Sequence, residues 1–208
     1  MIKKPSLLPI DEIEIFGSSA LVAGVDEVGR GALFGPVFAS AVILPQSAFP
    51  KLRDLGVKDS KQLSEKRRTE LAQQIQAMAQ GWQVGYATSA EIDKINIFQA
   101  SLLAMQRAVR RLQPQPTVCL IDGRFPLPDL VIPQYTFIKG DQRSLSIAAA
   151  SIVAKVWRDQ LIVRLANKYP EYDLRANKGY GTQKHRLAIA QYGCSPQHRL
   201  SFAPCKPI

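Results

Sequence analysis

Apolar positions along the chain follow two periods, and the change between them marks the predicted elements. LVAGV, Leu21 to Val25, and VFASAVIL, Val37 to Leu44, are unbroken apolar runs of strand length, the second closed by Pro45. Gly29, Gly31 and the turn pair Gly35-Pro36 lie between them, which predicts two antiparallel strands joined by a glycine-rich connection. Ser64 offers an N-cap for a helix from about Glu65 to Gln80, and Trp82 to Thr88 reads as a third strand. Asn96 is placed to cap a helix reaching Leu112, whose Leu102, Met105, Val109 and Leu112 recur at spacings of 3, 4 and 3. After the loop QPQPT, VCLIDG gives a short strand ending in Asp122 and Gly123, and Tyr135 to Lys139 another. Beyond Asp141 comes the longest helical signal, with Ile147, Ala150, Ala154, Trp157, Leu161 and Leu165 on one face and a stop near Pro170. The loop RANKGYGT then precedes a last helix, Gln183 to Tyr192, between the cap Thr182 and Gly193. Strands and helices in this alternation predict an α/β fold.

The 208 residues, 46% hydrophobic and 21% charged, suffice for one sizeable folded domain, which rules out wholesale disorder. The expected division is a lead-in over residues 1–20 and a single domain over 21–208. No apolar run approaches the roughly 18 residues a membrane span requires. The opening segment is interrupted by Pro5, Pro9, Asp11, Glu12 and Glu14 before a secretory core can form, so export is not expected. Three cysteines, Cys119, Cys194 and Cys205, form no CxxC pair and leave an odd count, which fits a reducing cytoplasm better than a disulfide framework or a zinc knuckle.

Lys and Arg total 27 against 17 Asp and Glu, a formal charge of +10. The surplus is concentrated: residues 139–208 hold 12 basic and 4 acidic residues, whereas residues 1–138 hold 15 and 13. Such a basic third would draw a polyanion through counterion release, although basicity alone does not separate a nucleic-acid enzyme from a protein that is merely basic.

Acidic residues at strand ends supply the candidate chemistry. Asp26 and Glu27 follow one buried apolar run and Asp122 follows another, so neighbouring strand ends would bring the three together. Carboxylates gathered in this way repel one another unless cations neutralise them, and an all-oxygen set suits Mg²⁺ or Mn²⁺. Taken singly, each acid is more readily read as capping a turn or pairing with Arg30 or Arg124, and it is the two strand-end sites together that weigh against this. Asp141, in KGDQRS, is either a capping acid for the long helix or a fourth carboxylate, while Asp159 is placed to pair with Lys155 at i−4. The glycines of GRG, Gly29 to Gly31, would let backbone approach a substrate beside the acids, or form a plain connection. Tyr180, between two glycines in KGYG, is a ring that either stacks on a base or closes its loop onto the core. His185 and His198 lack zinc-ligand spacing and read as structural or phosphate-facing, and Cys119 as a core residue. The chain has no G-x-S-x-G elbow, P-loop or dinucleotide fingerprint.

Six segments in this order, AGVDEVGRGALFGPVFASAVIL, KDSKQLS, LIDG, KGDQRSLSIAAASIVAKVWRD, NKGYGTQKH and HRLSFAP, resemble bacterial ribonuclease HII of the type 2 ribonuclease H family, over about residues 21–204. The resemblance implies a ribonuclease H-like mixed five-stranded sheet flanked by helices, with a helical C-terminal part. It implies four acidic metal ligands, Asp26, Glu27, Asp122 and Asp141, and a ribose-sensing GRG at Gly29, Arg30 and Gly31. It further implies a junction-sensing tyrosine at Tyr180 and a phosphate contact at Lys61. The implied activity is hydrolysis of RNA in RNA/DNA hybrids and incision 5′ of single ribonucleotides in duplex DNA, leaving 3′-hydroxyl and 5′-phosphate ends. Two Mg²⁺ or Mn²⁺ ions about 4 Å apart would serve it. A monomeric cytoplasmic protein with no membrane partner is expected. Val28 stands where alanine is usual after the DE pair, and ALFGP replaces the commoner PLAGP, which puts Phe34 near the site. Type HIII usually carries an extra N-terminal domain and a glutamate as fourth ligand, so Asp141 and the short lead-in favour type HII. Two other readings remain: a general nuclease of the same fold without ribose discrimination, and a noncatalytic nucleic-acid-binding module.

Overall fold

The central strand of the sheet carries the alternation that organises both cores. The computed structural model describes residues 10–57 and 64–206. Within them the helices are α1 (Glu12–Phe16), α2 (Phe49–Asp54), α3 (Glu65–Met78), α4 (Ser89–Arg110), α5 (Leu145–Leu165), α6 (Leu174–Asn177) and α7 (Gln183–Tyr192). The strands are β1 (Val22–Val28), β2 (Val37–Ile43), β3 (Gly81–Ala87), β4 (Val118–Asp122) and β5 (Gln134–Phe137). They form one sheet in the order β3-β2-β1-β4-β5, antiparallel across β3, β2 and β1 and parallel across β1, β4 and β5. This is the mixed five-stranded sheet expected, flanked by helices and followed by a largely helical C-terminal part.

Ala23 and Val25 of β1 and Ala39, Ala41 and Ile43 of β2 pack with Ala104, Ala108 and Val109 of α4. The opposite face meets α5, with α2 and α3 outside it: Val42 packs with Ala148, Ala149 and Val153 of α5, Leu52 of α2 and Leu71 and Ile75 of α3. At Gly24 the start of α5 lies directly on the sheet, since a Cβ there would stand 2.0 Å from the carbonyl carbon of Ser146. The alanine-rich start of α5 is therefore a requirement of close packing as well as of helix propensity. Ser144 caps this helix, its hydroxyl accepting from the Ile147 amide, so Asp141 is not the cap. The buried Glu12 of α1 accepts from the Ser144 and Ser146 hydroxyls at 2.6 and 2.5 Å, tying the lead-in to the same helix start.

Two boundaries are set by contacts that the sequence does not show. β1 runs on to Val28, because Asp26 and Glu27 pair with Ser40 and Ala39 of β2 although the apolar run has ended. α4 begins seven residues before Asn96, at a capping box in which Thr88 and Glu91 satisfy each other's backbone amides. Asn96 caps as expected, accepting from the Phe98 and Gln99 amides, but it does so at a kink inside α4, where its φ is 66°.

A third apolar cluster joins Leu33 and Phe34 to Ile162, Tyr172, Leu174 and Ile189, and seats the C-terminal helices on the connection between β1 and β2. Phe34 is wholly buried against the rings of Tyr169, Tyr172 and His198. The expectation that it stands near the site is thereby corrected: its ring fills this core, whereas Val28 does line the site. Among the described residues no helix is long and apolar enough to cross a membrane.

Candidate active site

The ladder between β1 and β4 ends at the pair Val25 and Ile121. One residue further on, Asp26 and Asp122 come side by side, because parallel neighbours in register project to the same face. Glu27, next along β1, belongs by alternation to the other face, yet its carboxylate reaches the same point at the end of β4. One carboxylate oxygen from each of Asp26, Glu27 and Asp122 lies within 4.8 Å of the others. Asp26 and Glu27 thus lie inside a strand, rather than following it as the apolar run suggested, and Asp122 closes one, as VCLIDG predicted.

Each acid is held. Asp26 accepts from the Glu27 amide at 2.7 Å and from the Ser151 hydroxyl of α5. Glu27 Oε1 pairs with the Arg30 guanidinium at 3.1 Å, and Asp122 Oδ1 accepts from the Gly140 amide at 2.6 Å. That last bond brings the short 3₁₀ turn Gly140–Gln142, and with it Asp141, to the edge of the cluster. Burial, and after it the charges of Glu27 and Asp122, raise the Asp26 carboxyl well above the usual range. Burial also raises Glu27, against the opposing pull of Arg30. Glu27 Oε2 is buried and has no hydrogen-bond partner among the described residues. An all-oxygen set, mutually repelling and with one orphaned lone-pair atom, fits a hard divalent cation.

The cluster opens into a cavity of about 460 Å³ that Asp141 also lines. Asp141 shares this cavity without belonging to the group of three within 4.8 Å. Arg68, Lys139 and Lys155 lie on its walls, so a strongly negative floor is ringed by cations. Tyr180 stands on the wall too, with the Lys155 ammonium 5.7 Å and the Arg158 guanidinium 5.2 Å from its ring centre. Lys155 also pairs with Asp159 at 2.9 Å, as the i−4 spacing predicted.

Two fully buried arginines hold the glycine-rich connection in place. Arg199 donates to the carbonyls of Gly29, Arg30 and Gly35 at 2.8, 2.8 and 2.9 Å. Arg158 lays its side chain where a Cβ of Gly29 would be, 2.1 Å from Nε, and donates to the Lys178 carbonyl at 2.9 Å. With φ at 91°, Gly29 is a position that a side chain would disrupt twice, by strain and by collision. Leu33 and Phe34 donate their amides to the Gly179 carbonyl, so the GRG and KGYG segments are fastened to each other. Burial and the charge of Arg158 bring Arg199 down to about 9, which leaves it a cation at neutral pH.

The structure therefore gathers Asp26, Glu27, Asp122, Asp141 and Tyr180 about one cavity, with Gly29, Arg30 and Gly31 adjoining through β1, while Lys61 lies outside the described residues. Sequence reasoning passed over Arg68, Lys139 and Ser151 as site residues and treated Lys155 only as an ion-pair partner. It also missed the buried roles of Arg158 and Arg199. The signal for Arg199 was present in HRLSFAP, whereas Arg68 sits in a run of charges on α3 that gives no hint of direction.

Comparison with known proteins agrees with this geometry. The family model described as Ribonuclease HII matches residues 23–205. A ribonuclease HII from Nostoc sp. is 66% identical over 188 residues, which cover 90% of this chain and 84% of that protein. The crystal structure of ribonuclease H2 from Pyrococcus horikoshii superposes with a TM-score of 0.75 at 28% identity, covering 89% of this chain and 95% of that one. Bst-RNase HIII in complex with Mn²⁺, 22% identical, shares the fold with a TM-score of 0.74 over 91% of this chain and 69% of that one.

Proposed function

Because the chain belongs to the ribonuclease HII family, the metal-dependent nucleases that cut the RNA of RNA/DNA hybrids, we propose that it also incises duplex DNA 5′ of a single embedded ribonucleotide. Asp26, Glu27, Asp122 and Asp141 hold two divalent cations, Mg²⁺ or Mn²⁺, in this reading. Such cations supply an activated water and offset the charge of the departing 3′-oxygen. What supports the reading most is the carboxylate cluster with its orphaned Glu27 Oε2, set at the floor of a cavity walled by cations.

The chain's own residues divide the remaining work. Arg68, Lys139 and Lys155 bind backbone phosphates, as Lys61 is also proposed to do, which gives salt-sensitive affinity without sequence preference. The backbone of Gly29–Gly31, pinned through its carbonyls by Arg199, contacts the 2′-hydroxyl and so separates RNA from DNA. Tyr180 packs against the sugar at the junction from ribonucleotide to DNA. The bond 5′ of a lone ribonucleotide joins it to a deoxyribose, which has no 2′-hydroxyl to attack, so in this reading water is the nucleophile and the ends are 3′-hydroxyl and 5′-phosphate.

The test compares a uniform RNA/DNA hybrid, a DNA duplex carrying one ribonucleotide and its all-DNA twin, each with Mg²⁺, Mn²⁺ or chelator. The first two are expected to be cut when either metal is present and to survive in chelator, while the all-DNA duplex survives throughout. Cutting of the all-DNA twin would mean a general nuclease, and binding without cutting a noncatalytic module. In the same assay Tyr180→Ala is expected to lower the preference for the junction substrate roughly tenfold, as the loss of one stacked ring implies, while the uniform hybrid changes by less than about twofold. An equal change on both substrates would contradict the role given to Tyr180.

A further inference from the structure

The Tyr180 main chain is held by a hydrogen-bonded relay whose direction can be worked out atom by atom. His185 Nδ1 lies 2.9 Å from the Tyr180 carbonyl oxygen, His185 Nε2 lies 3.1 Å from His198 Nε2, and His198 Nδ1 lies 2.9 Å from the Ser195 amide nitrogen. A carbonyl can only accept, so His185 carries its proton on Nδ1. An amide N–H can only donate, so His198 Nδ1 is bare and its proton is on Nε2. Each neutral imidazole has one ring proton. The central contact is then a His198 Nε2–H donating to a bare His185 Nε2, with one donor and one acceptor at every link. The Ser195 hydroxyl, also 2.9 Å from His198 Nδ1, reinforces the same end.

Both rings are inaccessible to solvent, His185 at 0% and His198 at 1% exposure. Burial lowers both, and with His185 beside it His198 falls to about 4. The groups facing the pair do not reverse this. Tyr172 places its ring 4.6 Å from His198 and 5.9 Å from His185, Phe34 lies 5.1 Å from His198, and Asp173 exerts a smaller opposing pull on His185. A proton added to His185 would set two N–H groups against each other across the 3.1 Å contact, and one added to His198 would set its Nδ1–H against the Ser195 amide at 2.9 Å.

We infer that His185 and His198 are positioning residues for substrate specificity: a neutral pair with fixed tautomers that locates Tyr180 from the C-terminal segment. The other side of Tyr180 is anchored separately, its amide donating to the Asn177 carbonyl at 2.9 Å. The segment that begins the relay, Ser195 to His198, continues into Arg199, which holds Gly29 and Arg30. One short stretch of chain thereby holds both elements that would read the ribose and its junction, beside the direct bonds from the Leu33 and Phe34 amides to Gly179 and from the Thr182 amide to the Tyr180 carbonyl. The consequence for specificity rests on Tyr180 being the junction reader, and the relay itself rests on geometry alone.

Long-range proton–nitrogen correlation spectra of the unaltered protein at neutral pH test the relay directly. His185 is expected as the Nδ1–H tautomer and His198 as the Nε2–H tautomer; either ring in the other tautomer, or charged, would overturn it. In kinetics, His185→Phe is expected to raise KM on the single-ribonucleotide duplex roughly tenfold, the equivalent of one lost buried hydrogen bond, with kcat and the uniform hybrid changed by less than about twofold. His185→Asn, whose amide nitrogen can take the place of Nδ1, is expected to recover most of that loss. Equal effects on both substrates, or no recovery by asparagine, would reduce the pair to core packing and overturn the inference. If Tyr180→Ala leaves junction preference unchanged, the junction reading falls, and the spectra alone then decide the relay by the same two outcomes.

Discussion

Asp122→Asn is expected to lower turnover on an RNA/DNA hybrid by at least about 100-fold while duplex affinity stays within about threefold. The substitution is nearly isosteric, and the asparagine carbonyl can still accept from the Gly140 amide, so the turn carrying Asp141 keeps its place. What is lost is one negative charge and one ligand oxygen from a group of three that meets within 4.8 Å. The cationic wall of Arg68, Lys139 and Lys155 is untouched, which is why binding survives. Removing that charge also relieves Asp26, whose carboxyl is raised in part by Asp122. The metal-free variant is therefore expected to melt no lower than the unaltered protein, a pattern of active sites held together against repulsion. Single-turnover rates at saturating metal, with fluorescence anisotropy in chelator for binding, check both halves. A parallel loss of rate and affinity would show that Asp122 serves binding or folding and not a metal.

The second large effect is on stability. Arg199→Met is expected to cost about 3 to 5 kcal/mol, the range for breaking a buried charged hydrogen-bond set, and to lower the melting temperature by roughly 10 °C. Methionine fills much of the volume but leaves the Gly29, Arg30 and Gly35 carbonyls, now served at 2.8 to 2.9 Å, short of donors. Arg199→Lys is expected to recover little, since one ammonium cannot span three carbonyls arranged for a planar guanidinium. Urea unfolding measures the loss, and a change below about 1 kcal/mol would mean that the carbonyls find other partners and that Arg199 is not the anchor of the glycine-rich connection.

Much of the architecture was legible because apolar runs of strand length are buried on both faces of this sheet. The long helix could be read from its alanine-rich stripe, and α7 from Thr182 and Gly193. The end of β1 was not legible: Asp26 and Glu27 interrupt the apolar run, and only pairing with Ser40 and Ala39 keeps the strand going. The early start of α4 was hidden because Thr88 fits a strand end as well as it fits a capping box. In the site, an acid closing each of two buried strands pointed to the convergence of Asp26, Glu27 and Asp122. The register that sets Asp122 one residue past the Val25 and Ile121 pair is a property of the assembled sheet.

Charge was the more misleading guide in detail. Arg158 and Arg199 count toward the basic C-terminal third, yet both are wholly buried and serve the glycine-rich connection instead of a nucleic-acid surface. Residue type and spacing do not separate such arginines from exposed ones. Tyr180 combines the two readings it had at the outset: its backbone closes a loop onto the core while its ring lines the cavity. Of the two readings open for His185 and His198, burial removes the phosphate-facing one, and their mutual contact depends on how the C-terminal segment folds back.

Water activated at the carboxylate cluster, and not the 2′-hydroxyl, is proposed to break the phosphodiester bond. The most direct test is cleavage of the single-ribonucleotide duplex in water enriched in heavy oxygen, with both new ends identified by mass spectrometry. One labelled oxygen on a 5′-phosphate, an unlabelled 3′-hydroxyl facing it and a break on the 5′ side of the ribonucleotide are expected. A 2′,3′-cyclic phosphate opposite a 5′-hydroxyl, with no label at the moment of cleavage, would contradict attack by water.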